Sequence, residues 1–247
     1  MNYGKDFEGL TAVITGAGSG IGLDVAKQLR DRGATIYGLD LHKGELDGVG
    51  TFIACDVGDD VSVINAFKDI PQVDILINNA GIGSIGTVET ADPEDWHKVF
   101  NINVYGIARV SKAALPIMRK SKVGSIVNVC SIAATCGIPN RAVYSASKGA
   151  VLTLTLAMAN DLIKDKIRVN CVNPGTADTP WVGRLLDQAS DPVAERAALE
   201  SRQPMGRLVT SEEVANSICY LASPLQSSTT GSSLAVDGGM QGLRIPK

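Results

Sequence analysis

Tyr144 and Lys148 stand four residues apart in Tyr144-Ser145-Ala146-Ser147-Lys148, and Ser131 precedes Tyr144 by thirteen residues. On a helix that spacing puts a phenol and an ammonium on one face, one turn apart. A free phenol, with a pKa of about 10, is a poor base at neutral pH. A positive charge beside it favours phenolate. The pair therefore predicts proton transfer to or from an alcohol oxygen. A Tyr-x-x-x-Lys pair also arises on helix surfaces with no chemistry attached, and the surrounding chain must decide between the two.

The elements that would position these groups alternate. Short, β-branched apolar runs cover 11–15, 34–40, 51–57, 73–79, 125–131, 167–173 and 233–237. Their nearly continuous hydrophobicity predicts strands covered on both faces. Helix-like segments fall between them at 20–32, 61–69, 93–120, 142–164, 180–200 and 211–222. Strand–helix–strand alternation predicts a doubly wound α/β fold with a parallel sheet of seven strands, Rossmann-like, with helices on both faces. Gly33 suits a helix C-terminus, and Pro93 suits a first turn after Asp92 as N-cap. No repeat or linker divides residues 1–247, which predicts one domain. Residues 176–209 break the rhythm with Pro180, Pro192 and Pro204. They leave the sheet where open α/β sheets bind ligands, so they are expected to form a substrate lid.

Composition narrows the function. The chain has 247 residues, 45% hydrophobic and 20% charged, with a net charge of −3 and no basic block. No nucleic-acid or membrane partner is expected. No apolar run approaches the roughly 20 residues of a membrane span. The first nine residues show no signal-peptide pattern, which predicts a cytoplasmic protein. Five scattered cysteines without Cys-x-x-Cys, and His42 and His97 far apart, predict free thiols and no metal.

Thr15-Gly16-Ala17-Gly18-Ser19-Gly20-Ile21-Gly22 joins the first strand to the first helix. Glycines allow a tight turn there, and the helix N-terminus offers N–H groups to a pyrophosphate. The spacing is G-x-x-x-G-x-G, and no Lys-Ser/Thr pair marks a triphosphate loop. Asp40 ends the second strand, where a carboxylate can accept from ribose hydroxyls and repel a 2′-phosphate. With Leu41 neutral nearby, NAD is favoured over NADP, although Lys43 follows closely. Asp56 and Val57 end the third strand and suit an adenine. Asn78-Asn79-Ala80-Gly81 ends the fourth with small and amide side chains.

The glycine loop, Asn78-Asn79-Ala80-Gly81, Asn103, Ser131, Tyr144-x-x-x-Lys148 and Pro174-Gly175 occur together in order. On these motifs the chain resembles the short-chain dehydrogenase/reductase family over essentially its whole length. The resemblance implies that Tyr144 is the general base in alcohol oxidation, tuned by Lys148. It implies that Ser131 holds the substrate oxygen and that Asn103 anchors a water linking Lys148 to solvent. Gly16, Gly20 and Gly22 would line the pyrophosphate, with Ser19 and Ile21 beside them and Asp40 on the adenosine ribose. Asp56 and Val57 would meet adenine, and Asn79, Ala80 and Gly81 would border the cofactor ribose. Pro174, Gly175, Thr176 and Thr179 would flank the nicotinamide. A homotetramer is implied too.

Arg141 precedes the tyrosine, and Arg184, Arg202 and Arg207 fall in or near the lid. Guanidinium forks suit carboxylates. Trp181 offers the lid an apolar wall or a packing anchor. The lid motifs are similar to a subgroup holding cytosolic 3-hydroxybutyrate dehydrogenases and 2-keto-3-deoxy sugar acid dehydrogenases. The expected substrate is a small hydroxy acid, first a 2-keto-3-deoxy-L-fuconate or -rhamnonate oxidised at C4. The alternatives are 3-hydroxybutyrate-type, 3-oxoacyl, hydroxysteroid or polyol dehydrogenases and, outside enzymes, an NAD-sensing regulator.

Overall fold

A computed structural model describes residues 4–187 and 189–244, and the Arg184 side chain lies outside the described residues. The chain runs β1 (Thr11–Thr15), α1 (Gly20–Asp31), β2 (Thr35–Asp40), β3 (Thr51–Ala54), α2 (Asp60–Ala66), β4 (Ile75–Asn78), α3 (Pro93–Phe100), α4 (Gly106–Met118), β5 (Ser125–Val129) and α5 (Ala142–Asp161). It continues through β6 (Arg168–Pro174), β7 (Ala177–Asp178), α6 (Pro180–Asp187), α7 (Pro192–Ser201), β8 (Val209–Thr210), α8 (Ser211–Ala222) and β9 (Ser233–Val236). Seven parallel strands lie in the order β3-β2-β1-β4-β5-β6-β9. Strands are added outward from β1 to one side and then, from β4, to the other, so a crevice opens beyond the carboxyl ends of β1 and β4.

Alternation along the strands explains the continuous apolar runs. Ala12 and Ile14 face one core with Val25 and Leu29 of α1 and Val214 and Ile218 of α8. Val13, Leu76 and Ile126 face the other with Val63 of α2 and Val110 and Ala114 of α4. Each strand is covered twice, and both side-chain sets are apolar. In α5, Val143, Ser147, Val151, Thr155 and Ala159 form the buried stripe at intervals of four. By length and composition alone α5 could cross a membrane, a run the sequence analysis does not expect. Its apolarity belongs to a helix with one stripe on the sheet.

Two expected helices are each divided. The 93–120 segment holds a π-helical turn at Asn101–Tyr105 between α3 and α4. The 180–200 segment breaks before Asp191, whose carboxylate accepts from Val193 and Ala194 N–H groups at 3.1 and 3.0 Å. Those bonds, with Pro192 in the first turn, start α7 afresh. Asp92 is the α3 N-cap but makes no side-chain cap bond.

The 176–209 segment, expected as a lid, has a small core of its own, Val182, Leu199 and Leu208, with Leu185 and Leu186 against it. Its two ends pair through β7 and β8. The segment after β9 packs on the lid base, where Gly238 O accepts from Met205 N–H at 3.1 Å. All five cysteines are free: Cys55, Cys130, Cys171 and Cys219 are buried, and Cys136 is partly exposed.

Candidate active site

The glycine turn is built by close approach. Gly16 takes φ +64°, and a Cβ on Gly22 would fall 2.1 Å from Gly16 O. Asn79 Nδ2 donates to Thr15 O and Gly16 O at 2.9 and 3.0 Å, clasping the turn. Ser19 is the α1 N-cap, makes no side-chain cap bond, and no acidic residue occupies the first turn. The N-terminal donors of α1 are thereby left for an anion. Asp40 Oδ2 accepts from Gly18 N–H at 2.9 Å, which fixes the carboxylate beside the turn. Asp56 Oδ1 is held by Gly58 N–H at 2.7 Å.

A cavity of about 450 Å³ follows the carboxyl ends of the strands. Gly16, Ser19, Gly20, Ile21, Asp40, Asp56, Val57, Asn79, Ala80 and Gly81 line its first half. Pro174, Gly175, Thr176 and Thr179, after β6, and Ser131, Tyr144, Lys148, Arg141, Trp181 and Arg202 line the far half beyond β4. Two expected residues are not on this wall. Gly22 is buried behind the turn, where its missing side chain lets α1 meet Gly16. Asn103 is fully buried: its Oδ1 accepts from Ile82 N–H, and its Nδ2 donates to Ile82 O and Ser147 Oγ. Arg184 is expected at the substrate, but its side chain lies outside the described residues. Arg207 points elsewhere, its guanidinium held by both Glu213 oxygens at 2.9 and 2.6 Å.

Ser131 Oγ accepts from Ala133 N–H at 3.1 Å, which leaves its own proton free to donate. Lys148 is buried, and its ammonium donates to Val129 O at 2.8 Å. That ammonium also lies 5.7 Å from the Tyr144 ring centroid. Asn78, Asn128 and Thr155 tie β4, β5 and α5 together behind these groups, with bonds of 2.9 Å at each step.

In the far half, burial and then the neighbouring Arg202 guanidinium hold Arg141 below the usual arginine range. Neither arginine forms an ion pair among the described residues. The Trp181 indole lies over Gly83, where a Cβ would sit 2.9 Å from Cζ2. Ile138, Val182, Leu185 and Leu199 complete an apolar wall that the sequence analysis does not name. The i, i+3 spacing of Val182 and Leu185 is the signal that could have found it.

Strand order, glycine turn and the Ser–Tyr–Lys set together define a doubly wound α/β oxidoreductase. A family model described as "Enoyl-(Acyl carrier protein) reductase" matches residues 16–241. Dehydrogenase/reductase SDR family member 6 of Rattus norvegicus is 36% identical, over 94% of this chain and 97% of the relative. Cis-4-hydroxycyclohexanecarboxylate dehydrogenase of Sinomonas cyclohexanicum is 38% identical, over 96% and 98%. Among solved structures, a 3-ketoacyl-(acyl-carrier-protein) reductase from Brucella melitensis complexed with NADH superposes with TM-score 0.84 at 33% identity, over 95% of this chain and 99% of that one. The chain belongs to the short-chain dehydrogenase/reductase family and is a dehydrogenase/reductase enzyme.

Proposed function

We propose that this enzyme oxidises a secondary alcohol to a ketone on a small hydroxy acid, with NAD as cofactor. The observation that carries the proposal is the pair Arg141 and Arg202. Both open onto the cavity that holds Ser131, Tyr144 and Lys148, with no carboxylate in ion-pair contact among the described residues. Arg141 is half-buried and Arg202 exposed; Glu195 acts on Arg141 through space without pairing to it, and two neighbouring guanidiniums so placed would favour an anion from outside.

The first half of the cavity suits a nicotinamide dinucleotide. The α1 N-terminus and Gly16–Ile21 would hold the pyrophosphate, Asp40 the adenosine ribose, and Asp56 and Val57 the adenine. The Brucella reductase, solved with NADH, supports this use of the fold. Lys43, the basic residue nearest Asp40 in sequence, is ion-paired with Asp47, which favours NAD over NADP. Pro174, Gly175, Thr176 and Thr179 would flank the cofactor's nicotinamide, which would supply the hydride acceptor for the carbinol carbon.

The chain's own groups handle the proton. Ser131 Oγ would donate to the substrate oxygen, and the Tyr144 phenol oxygen would take its proton. The Lys148 ammonium lies 5.7 Å from the Tyr144 ring centroid, on the same side of the site. Because the Asn103 side chain is spent on Ile82 and Ser147, a water anchored there would bond its main chain, within the π turn.

The wall of Ile138, Val182, Leu185 and Leu199 selects among hydroxy acids. Each substrate hydroxyl buried there without a partner costs about 1–3 kcal/mol. An acid with an apolar body therefore fits better than a deoxy sugar acid, and the similar hydroxycyclohexanecarboxylate dehydrogenase supports this. The test is a dehydrogenase assay with NAD and NADP on 3-hydroxybutyrate, 4-hydroxycyclohexanecarboxylate, 2-keto-3-deoxy-L-fuconate and matched neutral alcohols. We expect acids to exceed neutral counterparts at least about tenfold in kcat/KM, about 1.4 kcal/mol, and Arg141→Ala to remove the difference. Equal rates on acids and neutral alcohols would sink the proposal. Exposed Leu156 on α5 and Tyr105 before α4 further support assembly into a homotetramer.

A further inference from the structure

Gln203 is 1% exposed. Its Nε2 donates to Thr176 O at 3.3 Å and to Arg207 O at 2.8 Å. Those carbonyls belong to opposite ends of the lid, Thr176 where the chain leaves β6 and Arg207 where it returns toward β8. Val209 N–H also donates to Thr176 O, at 3.1 Å. Gln203 Oε1 has no partner. It stands against Gly175, where a Cβ would fall 2.3 Å from it.

Packing alone does not account for a glutamine here. A buried acceptor without a donor is unfavourable, and an apolar side chain of the same length would avoid that cost. What glutamine adds is the pair of Nε2 bonds. Gly175 and Thr176 line the cavity, and so does Arg202, the residue before Gln203. One buried amide thus ties the wall expected at the nicotinamide to the wall expected at the substrate.

We infer that Gln203 is a positioning residue that holds Arg202 in register with the Gly175–Thr176 wall and so sets the affinity for an acidic substrate. The inference rests on the proposed role of Arg202 as a carboxylate contact. It acts through Arg202 and touches neither substrate nor cofactor itself.

The experiment is a double-mutant cycle of Gln203→Met and Arg202→Ala in the full-length enzyme, with the best acid of the panel as substrate. Trypsin cleavage within residues 176–209 is followed in parallel. Gln203→Met is expected to raise KM about tenfold while kcat and the NAD Kd stay within about twofold, and to speed lid cleavage. In the Arg202→Ala background it should add less than about twofold to KM, since the group it positions is gone. Additive KM effects would overturn the inference, because a merely structural residue acts independently of Arg202. If Arg202→Ala alone leaves KM unchanged, the carboxylate reading fails. Lid cleavage then decides: faster cleavage in Gln203→Met keeps the clasp, and an unchanged rate removes it. Should Gln203→Met not fold, Gln203→Glu replaces it, with the same volume and the donor removed.

Discussion

Chemistry in this molecule is carried by side chains whose partners are already fixed. Ser131 accepts from Ala133 N–H, so its own proton is left to donate elsewhere. In the proposed reaction Tyr144 carries the proton, and Tyr144→Phe should cost about 10²–10⁴ in kcat. Its NAD Kd and melting temperature should stay near those of the parent. Retained turnover would show that another base acts. Tyr144, Lys148 and Ser131 were legible because their spacing survives as geometry. Arg141 and Arg207 were not separable by sequence, since both are arginines near the lid. Only the partner distinguishes them: Glu213 occupies Arg207, while no carboxylate lies in ion-pair contact with Arg141 among the described residues. Gly22 was legible as a required glycine, but its reason is contact with Gly16 rather than with a ligand.

At the scale of elements, the helix starts do the positioning. Gly22→Ala would force α1 away from the glycine turn. We expect it to weaken NAD binding at least about tenfold and to lower the melting temperature together; unchanged NAD binding in a titration would contradict this. The start of α8 is a capping box, with Thr210 Oγ1 accepting from Glu213 N–H and Glu213 accepting from Thr210 N–H. The Arg207 guanidinium holds the Glu213 carboxyl down to about 2. A depressed folded value means that this carboxylate stabilises the fold above the unfolded value of about 4.3, and that the gain is lost as pH falls toward 2. Glutamine keeps the capping bond but loses the charge. Glu213→Gln should therefore unfold slightly more easily than the parent at pH 7, by about 0.5 kcal/mol after solvent screening of a side chain 39% exposed, with the gap closing below about pH 4. A constant gap across acid denaturation curves would refute the assignment. The seven strands of the main sheet were readable within two or three residues because double-sided burial leaves an unbroken apolar run; the two-residue strands β7 and β8 were not. The interruptions at 101–105 and near 191 were not. A π turn is set by Asn103 reaching Ile82, a tertiary event with no period, and the Asp191 stop sits in a segment that otherwise stays helical on both sides.

For the whole molecule, order along the chain largely dictates the sheet, because right-handed crossovers leave few alternatives. The assembly is another matter, since a helix face bound to a second copy reads like one bound to the core. Sedimentation velocity should give a species of four chains. Leu156→Asp, at a side chain 49% exposed in the single chain, should shift it to smaller species. A parent that sediments as one chain would remove the tetramer. The uneven burial of the thiols has a practical use. Burial pushes Cys55 up to about 11 and Cys219 up to about 12, and the bond to Cys171 together with burial raises Cys130. Cys136 alone is partly open, and its sulfur reaches Met240 O at 3.8 Å, where the final segment meets the loop after Ser131. A maleimide dye should attach there stoichiometrically without any engineered handle. Its emission would then report, in real time, movement of the final segment against the loop after Ser131.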